Sequence, residues 1–345
     1  MTTGKTSLWK NLRRWLPGVL ISVIAIVAVT HFADFKDLGK AFTQVHPLNL
    51  LLAVALTVVS LGTRALAWRV LLRRKASVVD AFFIINEGYL LNNLFPLRAG
   101  ELGRALLMGR KSGLGTFRVL STVVLERIFD LAMAAGLLLA TLPLAFGMSW
   151  AKPVALTTLG LVIVGLIVLY IIARNSESFS GWVHRIGERW VLVKKWVLPQ
   201  LDALLDGLKT ITQPWQFLQS IFWIAVSWGI WVLLYYSMLV SIFPKAPLWW
   251  AAFTDGILAM GIALPSAPGG IGVYEASTVA ALTLLGITAS TALAYALIMH
   301  FIQFATTAVL GFWGLARDGR SLTDLFSEIQ NRKQPEAGSE EQLTS

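Results

Sequence analysis

Runs of about 20 mainly apolar residues recur along the chain, and that is the length a helix needs to cross the hydrocarbon core of a bilayer. They cover residues 16–32, 48–72, 117–142, 153–173, 217–243 and 289–315. In lipid the backbone must satisfy its own hydrogen bonds, so these runs predict spanning helices. The rest of the composition agrees. The chain is 56% apolar and 14% charged, with a mean hydropathy of +0.68, whereas a soluble domain is about 25% charged. That excludes a soluble globular protein, and equally a disordered chain, which needs low hydrophobicity. No small-residue cleavage site follows the first run, which therefore reads as an anchor rather than a removed signal peptide.

Two further stretches are apolar but broken. Residues 81–95 (AFFIINEGYLLNNLF) carry Glu87, Asn92 and Asn93 and end at Pro96. Residues 249–286 are interrupted by LPSAPGGIG. Each piece is too short to span, which predicts re-entrant helical hairpins lining protein or a wet cavity.

The formal charge is +10, from 29 Lys and Arg against 19 Asp and Glu. All of the basic residues except Lys36, Lys40, Arg127, Lys152 and Lys245 fall in five groups: Lys5–Arg14, Arg64–Lys75, Arg98–Arg118, Arg174–Lys209 and the tail after Gly314. One topology puts all five on the cytoplasmic side. Both termini are then cytoplasmic, six segments cross fully, residues 81–95 dip in from the cytoplasm, and residues 249–286 dip in from the opposite face. This makes the chain a multi-pass membrane protein with a basic cytoplasmic face. It also removes the case for nucleic acid as a partner, because the basic residues are spread over every inner loop.

The expected fold is thus an all-α polytopic membrane protein, with six full spans, two re-entrant hairpins and two inverted-topology repeats, a pattern of many transporters. A basic N-terminus (1–15) precedes a transmembrane domain (16–316) and a polar tail (317–345). Repeat one covers about 16–142 and repeat two about 153–316. Between the two, 174–216 is a cytoplasmic interfacial segment, with Trp182, Ile186, Trp190, Val193 and Val197 on one helical stripe. A short motif supports the repeat: Pro96-x-x-x-Gly100-x-x-Gly103 recurs as Pro265-x-x-x-Gly269-x-x-Gly272, each at its hairpin.

Charge inside the membrane marks candidate chemistry, since each such residue costs about 2.5–3.5 kcal/mol on insertion scales. Glu126, Arg127 and Asp130 share one helical wedge of about 100° and can pair, leaving one surplus negative charge. They read either as a headgroup or proton site or as a structural ion cluster. In the first hairpin, Pro96 and Gly100 free backbone groups, and Arg98 and Arg104 flank Glu101. Arginine suits bidentate phosphate recognition, and a helix starting near Glu101 would point its amides at an anion. Arg98 and Arg104 also read as ordinary inner-loop charges. In the second hairpin, Pro265, Pro268, Gly269, Gly270 and Gly272 expose backbone ahead of a half-helix with Glu275 in its first turn. Glu275 either complements the helix dipole or faces the first hairpin across a site. Glu87 and Asp255 are candidate proton carriers. His300 reads as a hydrogen-bonded packing residue. With no Cys and four scattered His, neither a metal set nor a catalytic nucleophile–base pair is evident, and no cofactor is expected.

The segments EGYLLNNLFPLRAGELGRALLMGRKSG, STVVLERIFD and LPSAPGGIGVYEA, in that order and spacing, resemble the lysylphosphatidylglycerol synthase transmembrane region, a flippase-like integral membrane family. The resemblance covers about residues 16 to 315. It implies a polytopic inner-membrane protein related to lipid flippases. In the synthases themselves this region translocates an aminoacylated lipid made by a soluble transferase domain. Here the chain ends soon after the last span, which predicts a stand-alone member without that domain. Stand-alone members are associated with other lipids, including polyprenyl-linked and hopanoid-type lipids.

The function expected is therefore a lipid transporter moving an anionic or polar-headgroup lipid, not an enzyme. Membrane lipids are its expected partners, with lipid- or glycolipid-synthesis enzymes as candidate protein partners. A non-transporting scaffold for such a pathway and an intramembrane enzyme acting on lipid-linked substrate are the alternatives.

Overall fold

The computed structural model describes residues 20, 22–27, 46–95, 99–146, 151–187, 198–264 and 266–321. Among them no strand occurs. Eleven helices are labelled here: α1 (Pro47–Leu71), α2 (Val78–Leu94), α3 (Ala99–Lys111), α4 (Thr116–Phe146), α5 (Ala151–Arg174), α6 (Ser176–Gly187), α7 (Leu198–Leu208), α8 (Pro214–Ile242), α9 (Leu248–Ile262), α10 (Val273–Leu284) and α11 (Ala289–Arg317). Helix starts follow local chemistry. Pro opens α1 and α8, where its missing N–H costs nothing. The Ser77 hydroxyl caps α2 by accepting from the Asp80 amide at 3.0 Å.

Helices α1, α4, α8 and α11 are long and apolar enough to cross a membrane. A fifth crossing is obtained if the bent pair formed by the end of α5 and α6, which meet at 78°, is one span. The run at 16–32 lies largely outside the described residues, as do the N-terminal segment and most of the tail. Large apolar side chains such as Leu51, Phe222, Phe301 and Val309 are exposed, as lipid-facing positions are. The interfacial segment divides into α6 and α7, joined by His184 and Asp202 at 2.9 Å. Trp182 is exposed there, while Trp190, Val193 and Val197 lie outside the described residues.

Each broken stretch forms two helices. In the first, residues 78–94 form one helix and α3 packs against it, so the helical stretch runs beyond the 81–95 expected from sequence. In the second, α9 and α10 flank a single turn of 3₁₀ helix at Pro268–Gly270. Gly269, Gly270 and Gly272 have φ of 70°, 76° and 87°, a left-handed region that only glycine enters cheaply. The first hairpin uses glycine differently. A Cβ on Gly100 would collide with the Gly88 carbonyl, and one on Gly88 with the Arg104 side chain. These glycines let α2 and α3 approach and bring Arg104 inward.

The packing alternates between the halves. Helix α1 lies along α8, α2 packs on α11, and α9 packs on α4. The Ser60 and Ser227 hydroxyls meet at 2.9 Å between α1 and α8, the small residues that let membrane helices approach. Gly311 sits against Asn86 and Gly314 against Glu87 where α11 meets α2, and Gly256 sits against Leu138 where α9 meets α4. One apolar core gathers mainly from α1 to α4, around Trp68, Ile85, Met108 and Phe129. A second gathers mainly from α8 to α11, around Tyr235, Leu258, Tyr274 and Met299.

At one end of the bundle, Asp80 binds both Lys111 (2.9 Å) and Arg317 (3.1 Å), and Lys111 also binds Asp318 (2.8 Å). Partial burial pushes the Asp80 carboxyl up, but hydrogen bonds from Ser77, Lys111 and Arg317 outweigh it and hold the group below the usual carboxylate range. The cluster pins the outer ends of α2, α3 and α11 together.

Candidate functional site

The charges of α4 sit at the junction of four helices. Glu126 is fully buried. Its Oε1 accepts from Arg64 Nε at 2.9 Å, on α1, and Arg104, on α3, grips both oxygens at 3.2 and 2.8 Å. This fork-to-fork geometry is the strongest form of an arginine–carboxylate pair. Arg64 also binds Asp130, and Trp228, on α8, donates its indole N–H to the other Asp130 oxygen at 3.0 Å. The Arg104 guanidinium lies 4.3 Å over the Trp68 ring, and that indole in turn donates to Thr122 at 3.0 Å. Helices α1, α3, α4 and α8 are thus tied through two carboxylates.

Arg127 is held differently. Its ion pairs are long: 3.4 Å to Asp130, 3.6 Å to Glu126 and 3.7 Å to Glu101. Its side chain is 33% exposed, and its buried Nε has no hydrogen-bond acceptor. It is the loosely held cation of the cluster.

Two corrections follow. Arg64 is not an inner-loop charge: it is buried inside α1 and 6% exposed. Nor is Arg104, at 2%. With both included, three arginines (Arg64, Arg104, Arg127) face three carboxylates (Glu101, Glu126, Asp130), and the surplus negative charge expected on α4 alone disappears. Arg98, Pro96 and Pro265 lie outside the described residues.

The second hairpin carries its own polar cluster. Glu275 Oε2 accepts from the Gly272 amide at 2.7 Å, closing the first turn of α10. Its Oε1 lies 2.6 Å from His300 Nδ1 on α11, and His300 Nε2 lies 2.9 Å from the Gly269 carbonyl. Tyr274 stacks on the imidazole with centroids 4.2 Å apart. The Tyr274 and Tyr235 hydroxyls meet at 3.0 Å. His300 is hydrogen-bonded and buried, as read from sequence, and it bridges the hairpin turn to α11. Its partners lie 25 and 31 residues away, a pairing that no local spacing signals.

The turn of the second stretch meets the end of α2. The 268–270 turn packs on α2, and a Cβ on Gly269 would touch Phe304 and the Asn93 carbonyl. The Asn93 side chain donates to Thr307 of α11 at 3.2 Å, and Asn92 accepts from the Gly100 amide at 2.8 Å. The Ala267 amide donates to Ser22 at 2.9 Å, which brings in the described stretch 22–27. The other two acidic candidates are set apart. Glu87 is buried against Gly314 with both carboxyl oxygens lacking a hydrogen-bond donor, and Asp255 is buried with one oxygen so. Among the described residues no group of three or more His, Asp or Glu side chains is placed to hold a metal ion.

The sequence profile described as "Lysylphosphatidylglycerol synthase TM region" matches residues 15–311. The chain belongs to the lysylphosphatidylglycerol synthase transmembrane-region family. It is an integral membrane protein, similar to other members across most of its length. A UPF0104 membrane protein of Methanothermobacter thermautotrophicus is 22% identical, over 89% of this chain and 96% of the relative. Another, from Methanocaldococcus jannaschii, is 20% identical over 85% and 92%. Glycosyltransferase AglD of Haloferax volcanii is 25% identical over 90% of this chain, which spans only 55% of that relative's length. No solved structure matches significantly.

Proposed function

We propose that this family member moves a lipid with an anionic or polar headgroup across the bilayer, phospholipids and polyprenyl-linked lipids being the classes considered. The observation that carries the reading is the exchange of packing partners: α2 on α11, α9 on α4, and α1 along α8. Each half thus lends its hairpin to the last long helix of the other. That reciprocity is what two inverted repeats produce, and in such transporters substrate binds where the broken helices meet. The reading takes six spans, two re-entrant hairpins and cytoplasmic termini in an inner membrane.

In this reading the headgroup passes the junction of α2 and the 268–270 turn while the acyl chains stay in lipid. Arg127, with an unsatisfied Nε and long ion pairs, supplies the phosphate contact; Arg98, the other arginine read as a phosphate ligand, lies outside the described residues. Glu101 and Asp130 compete for Arg127 and release it when an anion arrives. Arg64, Arg104 and Glu126 hold the helices around it. The Gly100 and Gly272 amides, expected from sequence to be free, are already held by Asn92 and Glu275, and Glu87 and Asp255 remain candidate proton carriers.

Translocation of headgroup-labelled phospholipid in proteoliposomes tests this. The wild-type chain should exceed protein-free vesicles, and Arg127→Gln should slow crossing by about tenfold, the loss of one charge-assisted contact of ~1.4 kcal/mol. Equal rates for wild type and Arg127→Gln would remove the site. Wild-type rates equal to protein-free vesicles would remove the function.

The likeness to a glycosyltransferase favours a second reading, an accessory role in glycolipid synthesis. A lipid carrying a sugar would then be the cargo or the bound ligand, and its identification by mass in purified protein would support that role.

A further inference from the structure

His300 places both ring nitrogens against acceptors: a carboxylate oxygen at 2.6 Å and a backbone carbonyl at 2.9 Å. A carbonyl never carries a proton, and a neutral imidazole has a single N–H. With Glu275 ionised and His300 neutral, one of these two contacts would set lone pair against lone pair. Both contacts are satisfied only when the pair holds one further proton. Glu275 also accepts from the Gly272 amide at 2.7 Å at the start of α10, where the amides favour a negative charge. The proton therefore sits on the ring. The resulting imidazolium lies between a carboxylate and a carbonyl, with the Tyr274 ring on its face at 4.2 Å, a surface that attracts cations.

We propose that the Glu275–His300 pair is a proton-binding site that couples proton movement to opening of the second hairpin. What the proton drives rests on the transport reading above; the binding of the proton does not. The groups around the pair come from every neighbouring helix. Tyr274 belongs to α10, Phe304 and Tyr295 to α11, and Tyr235 to α8. Asp255, on α9, lies within electrostatic range of Tyr235, Tyr274 and Tyr295, and of Asp130 in the first cluster.

Loss of the proton leaves the ring one N–H, so it must release either Glu275 or Gly269. Releasing Gly269 frees the left-handed turn from α11 at the point where it packs on α2. Releasing Glu275 frees the cap of α10. Either event loosens the junction of the hairpins, and reprotonation from the aqueous phase closes it again.

Two measurements on the full chain separate the parts. For binding, His31→Gln, His46→Gln and His184→Gln leave His300 as the one histidine, and ¹⁵N resonance reads its ring directly. Both nitrogens should carry protons at neutral pH, and Glu275→Gln should return the ring to one bare nitrogen. A bare nitrogen at neutral pH in the Glu275 chain would overturn the site. For coupling, headgroup-labelled phospholipid is followed in proteoliposomes with and without a pH gradient. The wild-type rate should change by about fivefold or more, the lower end of coupling between linked sites, and His300→Gln should be insensitive. Lipid crossing that ignores the gradient would overturn coupling while transport stands. A doubly protonated ring in a protein that moves no lipid would support the site and overturn transport.

Discussion

Glu126 and Arg127 are adjacent in sequence and opposite in behaviour. Glu126 is enclosed by two arginines, so its removal strands buried positive charge. Glu126→Ala should cost about 3–5 kcal/mol, the usual loss on breaking a buried pair, measured by thermal unfolding in detergent. Arg127→Gln should change stability by less than about 1 kcal/mol, since long, part-exposed ion pairs contribute little. The neighbours on α4 were legible in the sequence because helical spacing puts 126, 127 and 130 on one wedge. Arg64 was not. It stands close to Arg69, Arg73 and Arg74, and a basic residue at the head of a basic run reads as loop charge. Only the packing of α1 against α4 turns it inward. The partners of His300 were hidden for a similar reason: both arrive from the second hairpin, 25 and 31 residues away.

At the scale of elements, the long spans were readable to within a few residues, because unbroken hydrophobicity ends where the helix does. The hairpins were less so. Sequence placed the break at Pro96 and a helix starting near Glu101, but not the packing of that helix, α3, on α2, which Gly88 and Gly100 allow. Gly100→Ala should therefore cost about 1–3 kcal/mol by overpacking against Gly88. Gly269→Ala should cost about 1–2 kcal/mol by left-handed strain; both follow from unfolding in detergent. The Asp80 cluster predicts a pH effect. A carboxyl held below its ordinary value adds stability above its unfolded value and loses it as pH falls through the lowered folded value. Protection of the amides in the first turn of α2, taken relative to their intrinsic exchange rate at each pH, should therefore fall on acidification and hold on mild alkalinisation. Protection that falls on the alkaline side instead would count against the ionised Asp80 hub.

For the whole molecule, the basic residues of the loops predict orientation, even with Arg64 and Arg104 subtracted as interior charges. The chain contains no cysteine, so single introduced thiols report sidedness directly. Lys75→Cys should react with an impermeant thiol reagent only from the cytoplasmic face, and Lys245→Cys only from the other. Labelling of both from one face would refute the inverted arrangement of the two hairpins. The central claim is that a lipid headgroup passes where the end of α2 and the 268–270 turn meet α11. It is tested most directly by joining α2 to α11 through Asn93→Cys and Thr307→Cys, bridged by a short reducible thiol cross-linker, and following labelled lipid in proteoliposomes. Crossing should fall to the protein-free rate when the bridge is intact and recover on reduction; equal crossing in the bridged and reduced states would contradict it.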